Sequence, residues 1–229
     1  MFNRSIIKEL EAWKNKEDRK PLIMLGARQV GKTSVLKRFG KEQFVHCAYF
    51  SLDEEKGVCD IFRTTKNPVQ IIEQLSFLSE VPILPQETLL ILDEIQDCPE
   101  AISAMKYFCE KTPEYAVACA GSLLGLAFGH EGFSFPVGKV DHIKMYPVTF
   151  TEFLEQKDAG LYRYYQSIND IEPLPQIFFD RLSQAFTAYR ISGGMPEAAM
   201  AMIGKDMKGV ENILQNILQD YALDFVKHT

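Results

Sequence analysis

The sequence predicts a parallel α/β domain over residues 1–149 followed by an all-helical unit over 150–229, with the change at 148–150. Three observations carry that expectation. Short apolar runs bounded by turn residues alternate with helical stretches up to Thr149, the pattern of strand–helix–strand units and a parallel sheet. The first of those runs feeds directly into the glycine-bearing segment GARQVGKT. After Thr149 the helical spacing continues but no strand-like run follows.

The elements follow in order. Ile6, Ile7, Leu10 and Trp13 recur at helical spacing within residues 4–13. A charged loop, KNKEDRK, precedes PLIML, a continuous apolar run that reads as a buried strand opened by Pro21. SVLKRF, after the glycine-bearing segment, has helical character. VHCAYFSL (45–52) is the second strand, and residues 53–66 read as irregular. Asn67-Pro68 starts a helix reaching Leu78, with proline at its first position. TLLILDE (88–94) is a strand ending in acids, Pro99 starts a helix to Lys111, YAVACAG (115–121) is a strand, 122–138 a Gly- and Phe-rich loop, and VDHIKMYP (140–147) the last strand. Helices are expected at 150–156, 160–167, 176–191, 197–203 and 207–227. That is five strands in one sheet. There are no internal repeats or low-complexity tracts.

Composition bounds the answer. Apolar residues make up 46% and charged residues 24% of 229, which excludes disorder, collagen and coiled coil as whole-chain classes. No apolar run approaches the ~18 residues of a membrane span, and charges interrupt the N-terminal stretch MFNRSIIKELEAW, so no secretory signal and no membrane association are read. Five cysteines, an odd number with no paired spacing, argue against a disulfide framework and for a reducing cytoplasm. Net charge is −6, divided between +6 in the first forty residues and −12 in the rest. The acidic whole disfavours broad nucleic-acid binding. The basic start is a solvated helix face, or part of an anion site near residues 26–33.

Residues 26–33 fit G-x-x-x-x-G-K-[ST], the P-loop or Walker A pattern, between an apolar strand and a helix. Gly26 and Gly31 permit backbone conformations that other residues resist, so the amides of Ala27, Arg28, Gln29 and Val30 can wrap a phosphate. Lys32 reaches the β- and γ-phosphates, the Thr33 hydroxyl ligates Mg²⁺, and Ser34 follows in the first turn of a helix whose dipole favours an anion. LLILDEIQ (89–96) supplies the partner, Walker B: Asp93 ends an apolar strand and holds the metal's water shell, while Glu94 polarises the attacking water, which points to hydrolysis. Asn15-Lys16-Glu17-Asp18 matches N-K-x-D, a guanine-reading motif, but lies before the loop instead of several strands after it. It reads as a charged turn, which leaves adenine as the base.

GARQVGKT, LDEIQDCPEAISAMKYF, AGSLLG, SFPVGKV, YPVTFTEFL and YRISGGMPEA resemble a group of bacterial and archaeal P-loop ATPases of the AAA+ superfamily, over nearly the whole chain. The resemblance implies a five-stranded core with the sensor strand between the phosphate-loop strand and the Asp93 strand, a helical lid, and a further C-terminal domain. It implies that Ser122 stands at sensor 1, although a serine there also serves as a helix cap or turn residue. Lys139 matches a position often held by arginine, where a cation could sense the γ-phosphate in its own or a neighbouring subunit; a solvated lysine at a strand start is the other reading. GGMPE (193–197) resembles the G-x-P element through which a lid contacts nucleotide, which nominates Pro196; glycine also stops one helix there and proline starts the next. Arg181 and Arg190 are the lid arginines open to a sensor 2 role. Trp13 anchors the first helix or walls the adenine pocket.

The expected function is therefore Mg²⁺-dependent binding of ATP and ADP and hydrolysis of ATP, with Glu94, Lys32, Ser122 and Lys139 as catalytic candidates. The alternatives are a nucleotide-gated switch with negligible turnover and a DNA-associated ATPase. The expected partner is an unidentified protein or a following domain, with homo-oligomers admitted. Val210, Ile213, Leu214, Ile217, Leu218, Tyr221 and Phe225 form an apolar stripe without a stop signal before Thr229, from which self-association or an exposed apolar patch is expected.

Overall fold

The computed structural model describes residues 2–122 and 135–227, and the side chains of these up to Leu223. Its contacts divide the chain into two compact units, Ile6–Met145 and a second one made of Met1–Ser5 with Tyr146–Thr229.

In the first unit the described elements are α1 (Ile7–Lys14), β1 (Leu22–Leu25), α2 (Lys32–Gln43), β2 (His46–Ser51), α3 (Lys56–Thr64), α4 (Pro68–Leu78), β3 (Thr88–Asp93), α5 (Pro99–Lys111), β4 (Ala116–Gly121) and β5 (Asp141–Lys144). The five strands form one parallel sheet in the order β2-β3-β4-β1-β5, flanked by helices. The expected position of β4, between the strand that feeds GARQVGKT and the strand that ends in Asp93, is the observed one. Every residue of β3 and β4 is buried. Helices cover both faces of a parallel sheet, so its inner strands are apolar except for Thr88 and Asp93 at the two ends of β3, whereas the edge strand β5 buries only Ile143. Ile71, Leu75, Ile102, Met105 and Phe108 pack on the sheet residues Leu90, Leu92 and Val117 in one continuous core.

Two local readings change. Residues 53–66, expected to be irregular, contain α3, whose Val58, Cys59, Ile61 and Phe62 are buried. Those four recur at one-, three- and four-residue steps, the spacing of a single helical face. The helix expected from residue 4 starts at Ile7 because Phe2, Arg4 and Ser5 belong to the second unit. Of the loop expected at 122–138, residues 123–134 lie outside the described residues.

The second unit is helical: α6 (Phe150–Lys157), α7 (Ala159–Gln166), α8 (Gln176–Ser192), α9 (Pro196–Ile203) and α10 (Met207–Lys227). Phe2 is buried with Val148, Phe153, Ala199, Met202 and Val210. Thr149 and Glu152 form a reciprocal capping box at the start of α6. Glu152 does more than cap. Its carboxylate accepts from the Ser5 amide (2.7 Å) and hydroxyl (2.8 Å) and pairs with the buried Arg4 guanidinium at 3.1 Å. Burial alone would raise the Glu152 pKa, but the hydrogen bonds from Ser5 and Thr149 and the Arg4 charge outweigh it, so the carboxyl sits below its ordinary value. A depressed carboxylate stabilises the fold above the ordinary carboxylate pKa, and that contribution fades as pH falls through the lowered value. Glu152→Ala strands Arg4 without its counter-charge. We expect a cost of about 3–5 kcal/mol, read as a melting temperature roughly 10 °C lower, with less penalty in strongly acidic buffer. Equal melting of variant and parent at neutral pH contradicts it.

The stripe on α10 is divided. Val210 and Ile217 are buried and Leu218 is 70% exposed; Leu223, which is not part of the stripe, is 64% exposed. Phe225 lies beyond the described side chains. Among the described residues no helix is long and apolar enough to cross a membrane.

Candidate functional site

In a parallel α/β sheet, the loops leaving the carboxyl ends of the strands are the ones free to build a site. The sequence-nominated residues Gly26 to Ser34, Asp93, Glu94 and Ser122 all stand at those ends, after β1, β3 and β4. The loop leaves β1 and enters α2 through Gly31, whose φ of 94° lies in the left-handed region that glycine adopts without strain. At Gly26 a Cβ would meet the Met145 carbonyl oxygen at 2.5 Å, so the loop passes against β5's exit only because no side chain intervenes. Val30 is fully buried and pins the loop from below. Among the described residues no side chain caps α2, and its first turn holds no acid. An N-terminus left so, with amides lacking intrahelical acceptors, suits an anion.

Lys32 lies back along its own loop, its ammonium donating to the carbonyls of Gly26 (3.0 Å) and Ala27 (2.9 Å). Burial lowers its pKa, opposed by the carboxylates of Glu94 and Asp93. The Thr33 hydroxyl donates to Asp93 Oδ2 at 2.6 Å. This bond joins two motifs sixty residues apart and sets together two hard oxygen donors of the kind that Mg²⁺ takes. The same oxygen accepts from the Tyr49 hydroxyl at 3.1 Å. Burial pushes the Tyr49 phenol up to about 12, and Asp93 adds to the rise, so it remains a donor at neutral pH. The Lys37 ammonium lies over the Tyr49 ring, 3.2 Å from its centre.

Glu94 follows Asp93 with φ at 49°, left-handed backbone that costs a non-glycine residue on the order of 1–3 kcal/mol. Its carboxylate accepts from the Gln96 side-chain amide at 2.6 Å. Ser122 Oγ is buried and has no hydrogen-bond partner among the described residues.

Other nominated residues stand elsewhere. Lys139 precedes β5, whose Asp141 pairs with Leu22 at the start of β1. It is therefore at the opposite end of the sheet from the 26–33 loop, where it pairs with Glu110 at 2.9 Å. The structure does not bring it to the cluster in its own chain, because the parallel register puts a residue before β5 level with one before β1. Trp13 is buried and its indole donates to the Lys20 carbonyl at 2.9 Å, also at the start of β1; that contact makes it an anchor for α1. Lys16 of the N-K-x-D match pairs with Asp141 (3.0 Å) and Asp18 (3.7 Å), as a charged turn does. In the second unit Pro196 opens α9, and the Val148 amide donates to the Gly194 carbonyl at 2.7 Å. Arg181 pairs with Asp158, and Arg190 is exposed on α8.

Residues 18–154, more than half of the chain, match the family model described as an AAA domain. The chain belongs to the AAA domain family. Among solved structures, this AAA chain is similar to PCH-2 of C. elegans, with 11% identity over 93% of this chain and 70% of that one and a TM-score of 0.45. It is similar to Drosophila ORC bound to DNA at 11%, 93%, 66% and 0.45. It is similar to AMPPCP-bound DnaA of Aquifex aeolicus at 14%, 93%, 58% and 0.41. No curated protein sequence matches it.

Two residues of the AAA domain's cluster carry no role in the sequence reading, Tyr49 and Gln96. Gln96 lies inside the DEIQ match and was legible as a motif member. Tyr49 had no signal, since which edge-strand side chain reaches Asp93 depends on the β2–β3 register. If Tyr49 holds Asp93 for a metal, Tyr49→Phe should raise the Mg²⁺ concentration needed for nucleotide binding about 10-fold. Titrating Mg²⁺ at fixed nucleotide reads this, and an unchanged midpoint counts against it.

Proposed function

We propose that this AAA domain binds Mg·ATP and Mg·ADP at the 26–33 loop and hydrolyses ATP to ADP and phosphate, in the service of a protein partner or a further C-terminal domain. The observation that carries the reading is the 2.6 Å bond from Thr33 to Asp93, which joins the glycine-bearing loop to the acid pair beside a buried lysine. The residues fit the ligand: an uncapped helix N-terminus and the Lys32 ammonium answer the phosphates, and Thr33 and Asp93 answer Mg²⁺. Mg²⁺, held there, supplies neutralisation of phosphate charge.

The chain's own residues do the rest. Lys32 exchanges its loop carbonyls for phosphate oxygens, a charge-assisted contact. Glu94 accepts a proton from water, whose oxygen forms the new bond to the terminal phosphorus as the bond to the ADP oxygen breaks. Ser122 follows β4, its hydroxyl without a hydrogen-bond partner among the described residues, and is assigned to the terminal phosphate side of the site. Since Lys139 stands at the other end of the sheet, the cation nominated to stabilise the transition state is missing in cis, and any such role for Lys139 is in trans. A missing finger is worth ~10³–10⁵ in rate. The isolated chain is thus read as a slow ATPase, and the same placement favours the second reading, a nucleotide-gated switch whose turnover awaits a partner. Phosphate release from Mg·ATP, with and without partner and set against Lys32→Ala and Glu94→Gln, separates them. No release above the variants' background in either condition defeats the hydrolytic reading.

A further inference from the structure

We infer that Gln96 is the positioning residue for Glu94, an inference that rests on the reading of Glu94 as the base. The charged side chains beside Glu94 each have a holding partner: Lys32 has the loop carbonyls, and Asp93 has Thr33 and Tyr49. Glu94 has Gln96. The Gln96 Nε2 donates to Glu94 Oε2 at 2.6 Å and to Asp97 Oδ2 at 3.4 Å. Chemistry fixes the amide's sense, because the opposite flip would set its oxygen against two carboxylates. The Gln96 Oε1 is buried and has no partner among the described residues, so the amide is held by the carboxylates it serves and not by a web of its own.

The backbone explains why a holder is needed. Glu94 lies in the left-handed region, between the end of β3 and the short 3₁₀ turn Ile95–Asp97. Neither element's side-chain direction rules apply to it. An unheld glutamate would spread over several rotamers, and few of them aim an oxygen at the water. The turn places Gln96 two residues on, where its amide can reach back to Glu94. Binding Oε2 there leaves Glu94 Oε1 to take the proton. A base kept in one orientation acts at high effective concentration, and a misplacement of about 1 Å costs on the order of 10²-fold.

The test uses the whole chain. Gln96→Met keeps length and apolar volume and removes the donor; Gln96→Glu keeps the shape and replaces the donor by a second carboxylate. Both should lower kcat for Mg·ATP about 10²-fold while KM and Mg·ADP affinity stay at parental values, and Gln96→Met should also keep the parental melting temperature. In a Glu94→Gln background neither should cost anything further, since the two side chains act as a unit. In the nucleotide-free protein, the side-chain amide of Gln96 should give a downfield proton signal by NMR that moves back in Glu94→Ala. Parental kcat in Gln96→Met, a rise in kcat, or a Gln96 signal indifferent to Glu94→Ala overturns the inference. Should Gln96→Met melt early, Gln96→Glu and the NMR signal decide. An inactive Glu94→Gln beside a fully active Gln96→Met defeats the role of Gln96 alone, whereas parental turnover in Glu94→Gln defeats the reading of Glu94 on which it rests.

Discussion

Glu94→Gln is expected to lower ATP hydrolysis by ~10²–10⁴-fold, the usual share of a general base, while Mg·ATP and Mg·ADP bind as in the parent. The amide keeps the size of the carboxylate and, by presenting its oxygen, still accepts from Gln96, so the local packing is preserved. What it loses is the capacity to accept a proton from water. Asp93→Asn should behave differently. Asp93 is the acceptor for Thr33 and Tyr49, and weakening it should make turnover demand more Mg²⁺. Single-turnover phosphate release, with binding followed separately by calorimetry, keeps the two effects apart. A Glu94→Gln protein that turns over at the parental rate places the base elsewhere.

Lys32→Ala is expected to weaken Mg·ATP and Mg·ADP binding on the order of 10²-fold, the worth of a hydrogen bond to a charged group lost at a buried site. The reason is visible in the fold. Lys32 is 7% exposed, and its ammonium already lies within hydrogen-bonding reach of the loop that it serves. In the variant Gly26 and Ala27 lose their donor as well, so the loop itself should loosen. Calorimetry reads the affinity, with Mg·GTP as the comparison, which should bind the parent more weakly than Mg·ATP because the N-K-x-D match sits in a turn at the wrong end of β1. Parental ATP affinity in Lys32→Ala would remove the loop from the site.

The local signals in this sequence proved sound where one stretch of chain decides its own structure. PLIML, TLLILD and YAVACAG are apolar enough to be inner strands of a covered sheet, and those of 22–25, 88–93 and 116–121 are. Gly31 takes the left-handed conformation that only glycine takes freely, and the helix begins at Lys32 as the motif requires. The helix start at Asn67-Pro68 was legible too, a signal contained within two residues; the capping box of Thr149 with Glu152 is equally local but was not read from the sequence. The miss at α3 was also local: Val58, Cys59, Ile61 and Phe62 lie on one helical face, but the charged run before them hid the spacing.

By itself, then, the sequence determined the class of fold, the five strands, the phosphate-loop pattern and the acids after the third strand, because periodicity, glycine and proline act over a few residues. Tertiary structure alone decided which distant residues meet. The contact of Thr33 with Asp93 spans sixty positions, and that of Tyr49 with Asp93 depends on how two parallel strands register. The pairing of Arg4 and Ser5 with Glu152 draws the N-terminus into the helical unit across nearly the whole preceding chain. Lys139 shows the limit in the other direction. Its neighbours in sequence matched a motif of the site, yet parallel strands carry their first residues to one edge and their last to the other. A residue before β5 therefore ends up with Glu110 and not with Lys32, whatever its motif suggests.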